Sequence, residues 1–210
     1  MSSVNSYCVT DSRSSLLTAA AEEFARHGLQ GTRVHSIVKR AGINERMIYH
    51  HFGNKDGLYA AVLKAQMEDL AEAWRPIIAR GVEMEPYAGM RSVLAGFAGL
   101  LLARPQLTAL LLHEALAGWP TEPLPTADML PAPLRDLYAR GQSTGAFRAD
   151  CPFEIAYGTA LCALITLPMF VPRFAEVLGP DANVVTESLR DQMVGQLLDG
   201  MTGPLPEPRR

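Results

Sequence analysis

A short segment at residues 44–58, NERMIYHHFGNKDGL, carries side chains suited to binding a polyanion. Ile48 and Phe52 lie four residues apart, so they can share the buried side of a helix. The opposite side then holds charged and hydrogen-bonding groups: Glu45, Arg46, Tyr49 and His50. Together with Lys55, this face combines cations, which attract phosphates, with hydrogen-bond donors and acceptors that can contact specific groups of a bound polymer.

Two helices joined by a glycine turn are predicted to position this face. Residues 32–41 have apolar side chains at 34, 37, 38 and 41, a helical spacing, and Thr32 can cap that helix. Gly42 follows as the turn residue, Asn44 can cap the second helix, and Gly53 can end it. A helix, a short turn and a second helix are typical of the DNA-binding motif whose second helix enters the major groove.

Residues 24–63, FARHGLQGTRVHSIVKRAGINERMIYHHFGNKDGLYAAVL, closely resemble the TetR-type transcriptional regulators. The resemblance implies a homodimeric regulator, most often a repressor, whose C-terminal body holds a pocket for a small inducer. The rest of the chain agrees with the family in length and helical character. One departure lies at Arg46 and Met47, where the family often has a small residue and Thr, so the family's base preference cannot be transferred.

The front of the second helix is predicted to read bases, because that part of such a helix faces the groove. Arg46 can donate two hydrogen bonds to guanine or Glu45 can accept from cytosine, with Met47 beside them. The residues predicted to hold phosphates are Thr32, Arg33, Tyr49, His50 and Lys55, with His35 and Ser36 at the margin. The family resemblance agrees for Thr32, Tyr49 and Lys55, and it adds His51. The full predicted DNA-binding set is Thr32, Arg33, His35, Ser36, Asn44, Glu45, Arg46, Met47, Tyr49, His50, His51 and Lys55. The alternatives are a merely solvated basic face and, for His51, packing beside Phe52.

The charge distribution indicates a basic head on an acidic body. The 210-residue chain has a net charge of −3. Residues 1–64 hold eight Lys and Arg against five Asp and Glu, a net of +3, whereas residues 65–210 hold eleven against seventeen, a net of −6. Four of the five histidines also lie in the first part. This asymmetry is expected of a modular DNA-binding protein.

Composition argues against several other classes of protein. The three cysteines are too few and too scattered for a disulfide framework or a zinc site, and no metal or cofactor is expected. No nucleophile elbow, phosphate loop or metal-ligand spacing appears, so no catalytic residues are predicted and the protein is not expected to be an enzyme. No apolar run reaches the length of a membrane span and no signal peptide is recognisable, so a cytoplasmic protein is expected.

The predicted fold is all-α, with about nine helices. Residues 1–10 are predicted to be a disordered arm, 11–57 a three-helix helix-turn-helix DNA-binding domain, 58–202 a helical effector-binding and dimerisation domain, and 203–210 a tail. The first helix is predicted to begin at Asp11 or Ser12 and to end at His27-Gly28. The core of the head is predicted to contain Leu17, Phe24, Val34, Ile37, Ile43, Ile48 and Phe52.

Prolines are predicted to divide the second domain. Pro76 should kink or end a long helix that starts near Lys55, and Pro86 and Pro105 can open the next two helices. Residues 118–131, GWPTEPLPTADMLP, are too proline-dense for a helix. Two apolar helices end the chain, the first broken by Pro168 and Pro172 and the second starting near Asp181.

Those last two helices are apolar on more than one face, which predicts a homodimer, because one small domain cannot cover both. The predicted dimer contacts are Ile155, Leu161, Leu164, Leu189, Met193 and Leu197. A small apolar or amphipathic effector is expected from the family resemblance, and its predicted contacts are Trp74, Phe97, Leu101, His113, Glu114, Trp119, Tyr157, Cys162 and Met169. The alternatives are a DNA-binding regulator without an effector and an α-helical ligand-binding protein or enzyme with an incidental basic head.

Overall fold

The computed structural model describes residues 3–121, 131–170 and 187–202, and within these ranges every regular element is an α-helix. The nine helices of this part are α1 (Ser3–Gly31), α2 (Val34–Ala41), α3 (Arg46–Phe52), α4 (Lys55–Val82), α5 (Pro86–Leu102), α6 (Pro105–Ala117), α7 (Ala132–Thr144), α8 (Phe153–Phe170) and α9 (Glu187–Thr202). The all-α prediction, with a helix-turn-helix near the N-terminus, is confirmed.

Several predicted boundaries were wrong. Helix α1 begins at Ser3, not at Asp11 or Ser12, so the backbone is helical through most of the segment predicted as an arm. The predicted break at His27-Gly28 is confirmed, because Gly28 has a non-helical backbone (φ 65°, ψ 177°), and a further helical stretch follows it to Gly31. Helix α4 continues past Pro76, so this proline does not end the helix, and the predicted alternative of a kink stays a prediction.

The predicted break at Pro168 is also absent, since α8 runs on to Phe170. A proline destabilises the interior of a helix, but tertiary packing can keep the helix intact on both sides of it. The predicted features at Pro172, Asp181, most of the proline-rich loop and the tail at residues 203–210 lie outside the described residues.

The chain divides into two compact units, residues 1–70 with 104–124 and residues 71–103 with 125–210. In the first unit, α1 packs against α2, α3 and α6. Its core holds Leu16, Phe24, Ile37, Ile48, Leu58 and Leu107, all without exposed surface. The predicted core residues Leu17, Val34, Ile43 and Phe52 are only half-buried. Three short helices bury too little apolar area by themselves, and α6 supplies the missing cover.

The second unit has an aromatic core. Tyr138 stacks on Phe147 and Phe153 stacks on Tyr157, with ring centroids 4.9 and 5.0 Å apart. Trp74 extends this group towards Phe97, at a centroid distance of 4.5 Å. Helix α5 packs against α7, α8 and α9 around these rings, so most of the buried area of the unit is apolar.

Candidate nucleic-acid interface

A glycine turn sets the geometry between α2 and α3. Gly42 adopts the left-handed conformation (φ 67°, ψ 28°), and its N–H donates to the Val38 carbonyl. The Ile43 N–H donates to the same carbonyl at 3.1 Å, so two donors close the end of α2. A residue with a Cβ is strained at this backbone conformation, which explains the glycine at this position.

Asparagine side chains cap the two helices that follow. Asn44 Oδ1 accepts from the Arg46 N–H at 2.9 Å, which confirms the predicted cap of α3. Asn54 Oδ1 accepts from the Gly57 N–H at 2.7 Å and so caps α4, a role that the sequence reading missed. A Cβ at Gly57 would lie 2.1 Å from the Phe52 carbonyl oxygen. Only glycine therefore allows this close approach between the end of α3 and the start of α4.

The outward face of α3 matches the pattern predicted from the sequence. Ile48 has no exposed surface, whereas Glu45, Arg46 and His50 are exposed. Tyr49 is 54% exposed, and its hydroxyl donates to Glu45 Oε1 at 3.3 Å, one turn back on the same face. Met47, predicted to face bases, is half-buried. The side chains most open to a ligand are thus cationic and hydrogen-bonding.

Thr32, predicted as a helix cap and a phosphate contact, has a different role. Its side chain is 3% exposed, and its hydroxyl lies within hydrogen-bond distance of the carbonyls of Gly28, at 2.7 Å, and Glu23, at 3.1 Å. Helix α2 starts at Val34 without a side-chain cap. Thr32 therefore holds the α1–α2 connection in place, and its side chain is not available to a phosphate.

Lys55 and the start of α2 lie beside this connection. Lys55 Nζ donates to the Thr32 carbonyl at 3.2 Å and remains partly exposed. Arg33 and His35 are exposed, and Ser36 is half-exposed. These positions are compatible with the predicted phosphate contacts, since each side chain retains surface that a phosphate can approach.

The first half of α1 contributes two residues that were not predicted from the sequence to lie at the site, Ser12 and Arg13. Ser12 Oγ lies 3.2 Å from His51 Nε2, and the Arg13 guanidinium lies over the Phe52 ring, 5.4 Å from its centroid. Partial burial lowers the pKa of His51, and the nearby His50 and Arg13 charges lower it further. Arg13 is the first cation in the chain, but nothing local in the sequence indicates that it lies beside α3.

Arg40 is a cation of α2 that is used internally. Its Nη2 lies 2.7 Å from Glu23 Oε1 and its Nη1 lies 2.8 Å from Glu22 Oε2, so it joins α2 to α1. Glu23 is nearly buried, at 6% exposure, which makes its pairing with Arg40 important for the fold. The orientation of α2, and with it that of α3, is fixed by this ion pair together with Thr32.

The residues predicted to contact an effector are divided between the two units. Trp74, Phe97 and Tyr157 are brought together in the second unit, with the Trp74 and Tyr157 rings nearly parallel, at 7°, and their centroids 6.4 Å apart. Leu101 is buried in the same unit, whereas Cys162 and Met169 are exposed.

The other predicted effector contacts belong to the first unit, where two of them have structural roles. His113 Nε2 lies 3.2 Å from the Ala25 carbonyl, and its ring packs against Gly28. Glu114, 1% exposed, accepts from the Thr121 N–H at 3.2 Å and from the Thr121 hydroxyl at 3.0 Å. Trp119 is half-exposed.

The predicted dimer contacts also divide by burial. Leu161 and Leu164 are 8% and 1% exposed within their own chain, so they have little surface to offer a partner. Ile155 is 62% exposed, and the three α9 residues are half-buried: Leu189, Met193 and Leu197.

In the described ranges no three His, Cys, Asp or Glu residues gather as a metal site, and no single helix there is long and apolar enough to cross a membrane.

A short helix that exposes Arg46, Tyr49 and His50 behind a glycine turn is the structure of a helix-turn-helix DNA-binding protein. The family model described as bacterial regulatory proteins, tetR family, matches residues 16–62. The chain is 30% identical over 184 residues to the HTH-type transcriptional repressor SCO4008 of Streptomyces coelicolor, an alignment that covers 85% of this chain and 88% of that one.

A second relative is the HTH-type transcriptional repressor KstR2 of Rhodococcus jostii, 26% identical over 200 residues, with 91% of this chain and 92% of that one covered. A solved TetR family transcription regulator from Marinobacter aquaeolei VT8 shares the fold, with a TM-score of 0.71, 20% identity and coverage of 91% and 96%. The chain belongs to the TetR family, and it is a DNA-binding transcriptional regulator.

Proposed function

We propose that this regulator is a ligand-responsive homodimeric repressor, located in the cytoplasm, that binds a palindromic operator. The observation that carries the proposal is the exposed face of α3, where Arg46, Tyr49 and His50 project from a helix that Ile48 anchors. Repression is inferred from the two relatives named as repressors. In this proposal residues 11–57 form the DNA-binding domain and residues 58–202 the effector-binding and dimerisation domain.

Arg46 is the proposed base reader, because a guanidinium can donate two parallel hydrogen bonds to guanine. Lys55, Arg33 and His51 are proposed to bind phosphates, with Arg13 added to that group from its position beside Phe52. One head offers few contacts, so two heads are needed for tight binding. The half-sites of the operator should then lie about 34–36 Å apart, or a multiple of that distance.

The dimer is proposed to form through the exposed sides of α8 and α9. Ile155 and Cys162 are exposed on α8. Gly158 on α8 and Gly195 on α9 have open space where a Cβ would stand, which allows a partner helix to approach closely. Half-buried α9 residues such as Met193 can complete the apolar contact.

An effector is proposed to act by population shift: a small molecule that binds the non-operator conformation more tightly lowers DNA affinity by that difference alone. The test is selection of bound duplexes from a random pool, followed by titration of the selected sequence at several salt concentrations. A palindromic consensus and a steep fall of affinity with salt are expected. Absence of duplex binding even in dilute buffer would contradict the proposal and favour a helical ligand-binding protein.

A further inference from the structure

Two buried hydrogen-bond donors in the second unit have no acceptor. Among the described residues, these are the Trp74 indole N–H and the Tyr157 hydroxyl, on side chains that are 8% and 1% exposed. Buried polar atoms in folded proteins are nearly always paired, since an unpaired one loses its hydration without compensation. Two such donors on neighbouring parallel rings therefore require an explanation.

The same Trp74 forms part of the wall of a groove. This groove has a volume of about 490 Å³ and is lined by the second half of α4 and by the residues that open α7. Apolar side chains, including Ile78, Val82 and Pro131, form most of its surface. A cavity of this volume is in the range that accepts small organic molecules.

The chemistry of the two donors limits what can satisfy them. An indole N–H can only donate, so its partner must be an acceptor, and a carbonyl oxygen with two lone pairs can take a second bond from a hydroxyl. An ammonium group has no lone pair and cannot accept from Trp74. The surrounding Phe97 ring and the apolar groove favour a flat, apolar body on the same molecule.

We infer that the groove beside Trp74 and the adjoining aromatic group bind a flat apolar molecule with a carbonyl-type acceptor oxygen, held by the Trp74 N–H and the Tyr157 hydroxyl. The inference rests on the proposed ligand response and names the chemical class of the effector. Burial raises the pKa of Tyr157, so its hydroxyl keeps its proton and stays a donor throughout the physiological range.

A matched pair of probes tests the inference. Acetophenone and α-methylstyrene have the same shape, but only acetophenone carries an acceptor, because a C=CH₂ group replaces its C=O. The chain has two tryptophans, so the variant Trp119→Phe leaves Trp74 as the single tryptophan, whose emission can be excited selectively at the red edge of the absorption band. Titration of Trp74 emission, with thermal shift of the unaltered chain as a second measurement, should show acetophenone binding about three- to tenfold more tightly than α-methylstyrene.

Tyr157→Phe, made in the Trp119→Phe background, should remove most of this preference and should raise Tm, since it deletes an unpaired buried hydroxyl. Tyr138→Phe is the matched control: the Tyr138 hydroxyl donates to the Cys151 carbonyl at 3.3 Å, so its loss should lower Tm and leave probe affinity unchanged. Equal affinity for the two probes, no binding of either, or a fall in Tm for Tyr157→Phe would each overturn the inference.

The proposed function is tested separately on the same Trp119→Phe protein with the selected duplex. A protein that binds the duplex but neither probe disproves only the effector class. A protein that binds acetophenone but no DNA retains the site and disproves the proposed function.

Discussion

Among the described residues, the buried carboxylates and threonines of the first unit are all hydrogen-bonded, whereas two buried donors of the second unit, the Trp74 N–H and the Tyr157 hydroxyl, lack an acceptor. The buried carboxylates and threonines are Glu23, Thr32, Thr108 and Glu114. Each has a partner: Arg40 for Glu23, main-chain carbonyls for both threonines, and Thr121 for Glu114.

This difference fits what each unit is proposed to do. A surface that reads DNA must hold α3 in one orientation, and satisfied buried hydrogen bonds favour a single arrangement. A site that accepts and releases a ligand can leave donors unpaired until the ligand arrives, at a cost in stability. In this proposal the two unpaired donors mark the part of the second unit that receives a molecule.

The largest expected effect concerns the dimer. Ile155→Glu places a charge on the exposed side of α8 and should split the dimer, lowering operator affinity by about 10²- to 10⁴-fold through loss of the second head. Sedimentation and duplex titration measure the two effects. Thr144→Glu, on an exposed position of α7, is the control and should change neither. A monomeric Ile155→Glu protein with full affinity would show that one head is sufficient.

Glu114→Ala should be the most damaging polar substitution in the first unit. Burial and a hydrogen bond to Glu114 raise the pKa of Tyr59, and Thr121 donates twice to the same carboxylate. Removal of the carboxylate leaves the Tyr59 and Thr121 donors without an acceptor and should lower the free energy of unfolding by about 3 kcal/mol. Urea denaturation measures the loss. Glu114→Gln keeps acceptor oxygen in place and should lose less; equal losses would show that hydrogen-bond pairing is not the cause.

Arg46→Ala should lower operator affinity by about 1–3 kcal/mol and relax sequence preference, because a base contact is lost. Lys55→Ala should weaken all duplexes alike and reduce the salt slope, as expected for a phosphate contact. Affinities for the selected operator and a scrambled duplex at several salt concentrations separate the two. A uniform loss in both variants would mean that Arg46 also binds phosphate.

Thr32→Val should cost about 1 kcal/mol of stability, because the buried hydroxyl that bonds the α1–α2 connection is replaced by a methyl group. The slope of affinity against salt should not change, since this side chain reaches no phosphate. Thr18→Val is the control, because its hydroxyl donates to the Ser14 carbonyl on an exposed face. A reduced salt slope in Thr32→Val would restore the phosphate role predicted from the sequence.

The smallest expected effect is a pH dependence at His51. Its pKa in the free protein is lowered, so the neutral form is favoured, and a bound phosphate would raise that pKa. Binding of DNA is then coupled to protonation of His51. As pH falls below the pKa of His51 in the complex, operator affinity should rise a few-fold, and it should stop rising below the pKa of His51 in the free protein. In the free protein the sign is opposite: stability falls as pH drops below about 6.5. His51→Gln should flatten both profiles, and an unchanged profile would show that His51 is not the group that takes up the proton.

The DNA-binding motif was predictable because its signals are local. Gly42 must adopt a left-handed turn, Asn44 caps the next helix through a bond to a residue two positions away, and Ile48 faces inward by helical spacing. Such features depend on a few neighbouring residues and their backbone preferences. The exposed face of α3 follows from them directly.

The residues that contact an effector or a partner subunit were harder to predict, because apolar composition does not show which side of a helix packs inside its own chain. Leu164 and Ile155 lie on the same apolar helix, yet one is buried in its own chain and the other is 62% exposed. His113 and Glu114 are two of the predicted effector contacts, but they bond to the Ala25 carbonyl and to Thr121, and no local signal in the sequence indicates these partners.

Helix periodicity, capping residues and charge are properties of neighbouring positions, so an all-α protein with a basic head and a glycine turn could be predicted from the residues alone. The pairing of the polar groups could not, because it depends on contacts between distant segments. The His113 ring meets a carbonyl 88 positions away, Thr32 bonds back to Glu23, and Tyr157 finds no acceptor at all in the described part of the chain. The physical reason is that hydrogen-bond pairing in a core depends on which distant segments pack together, and that packing is fixed only when the whole chain has folded.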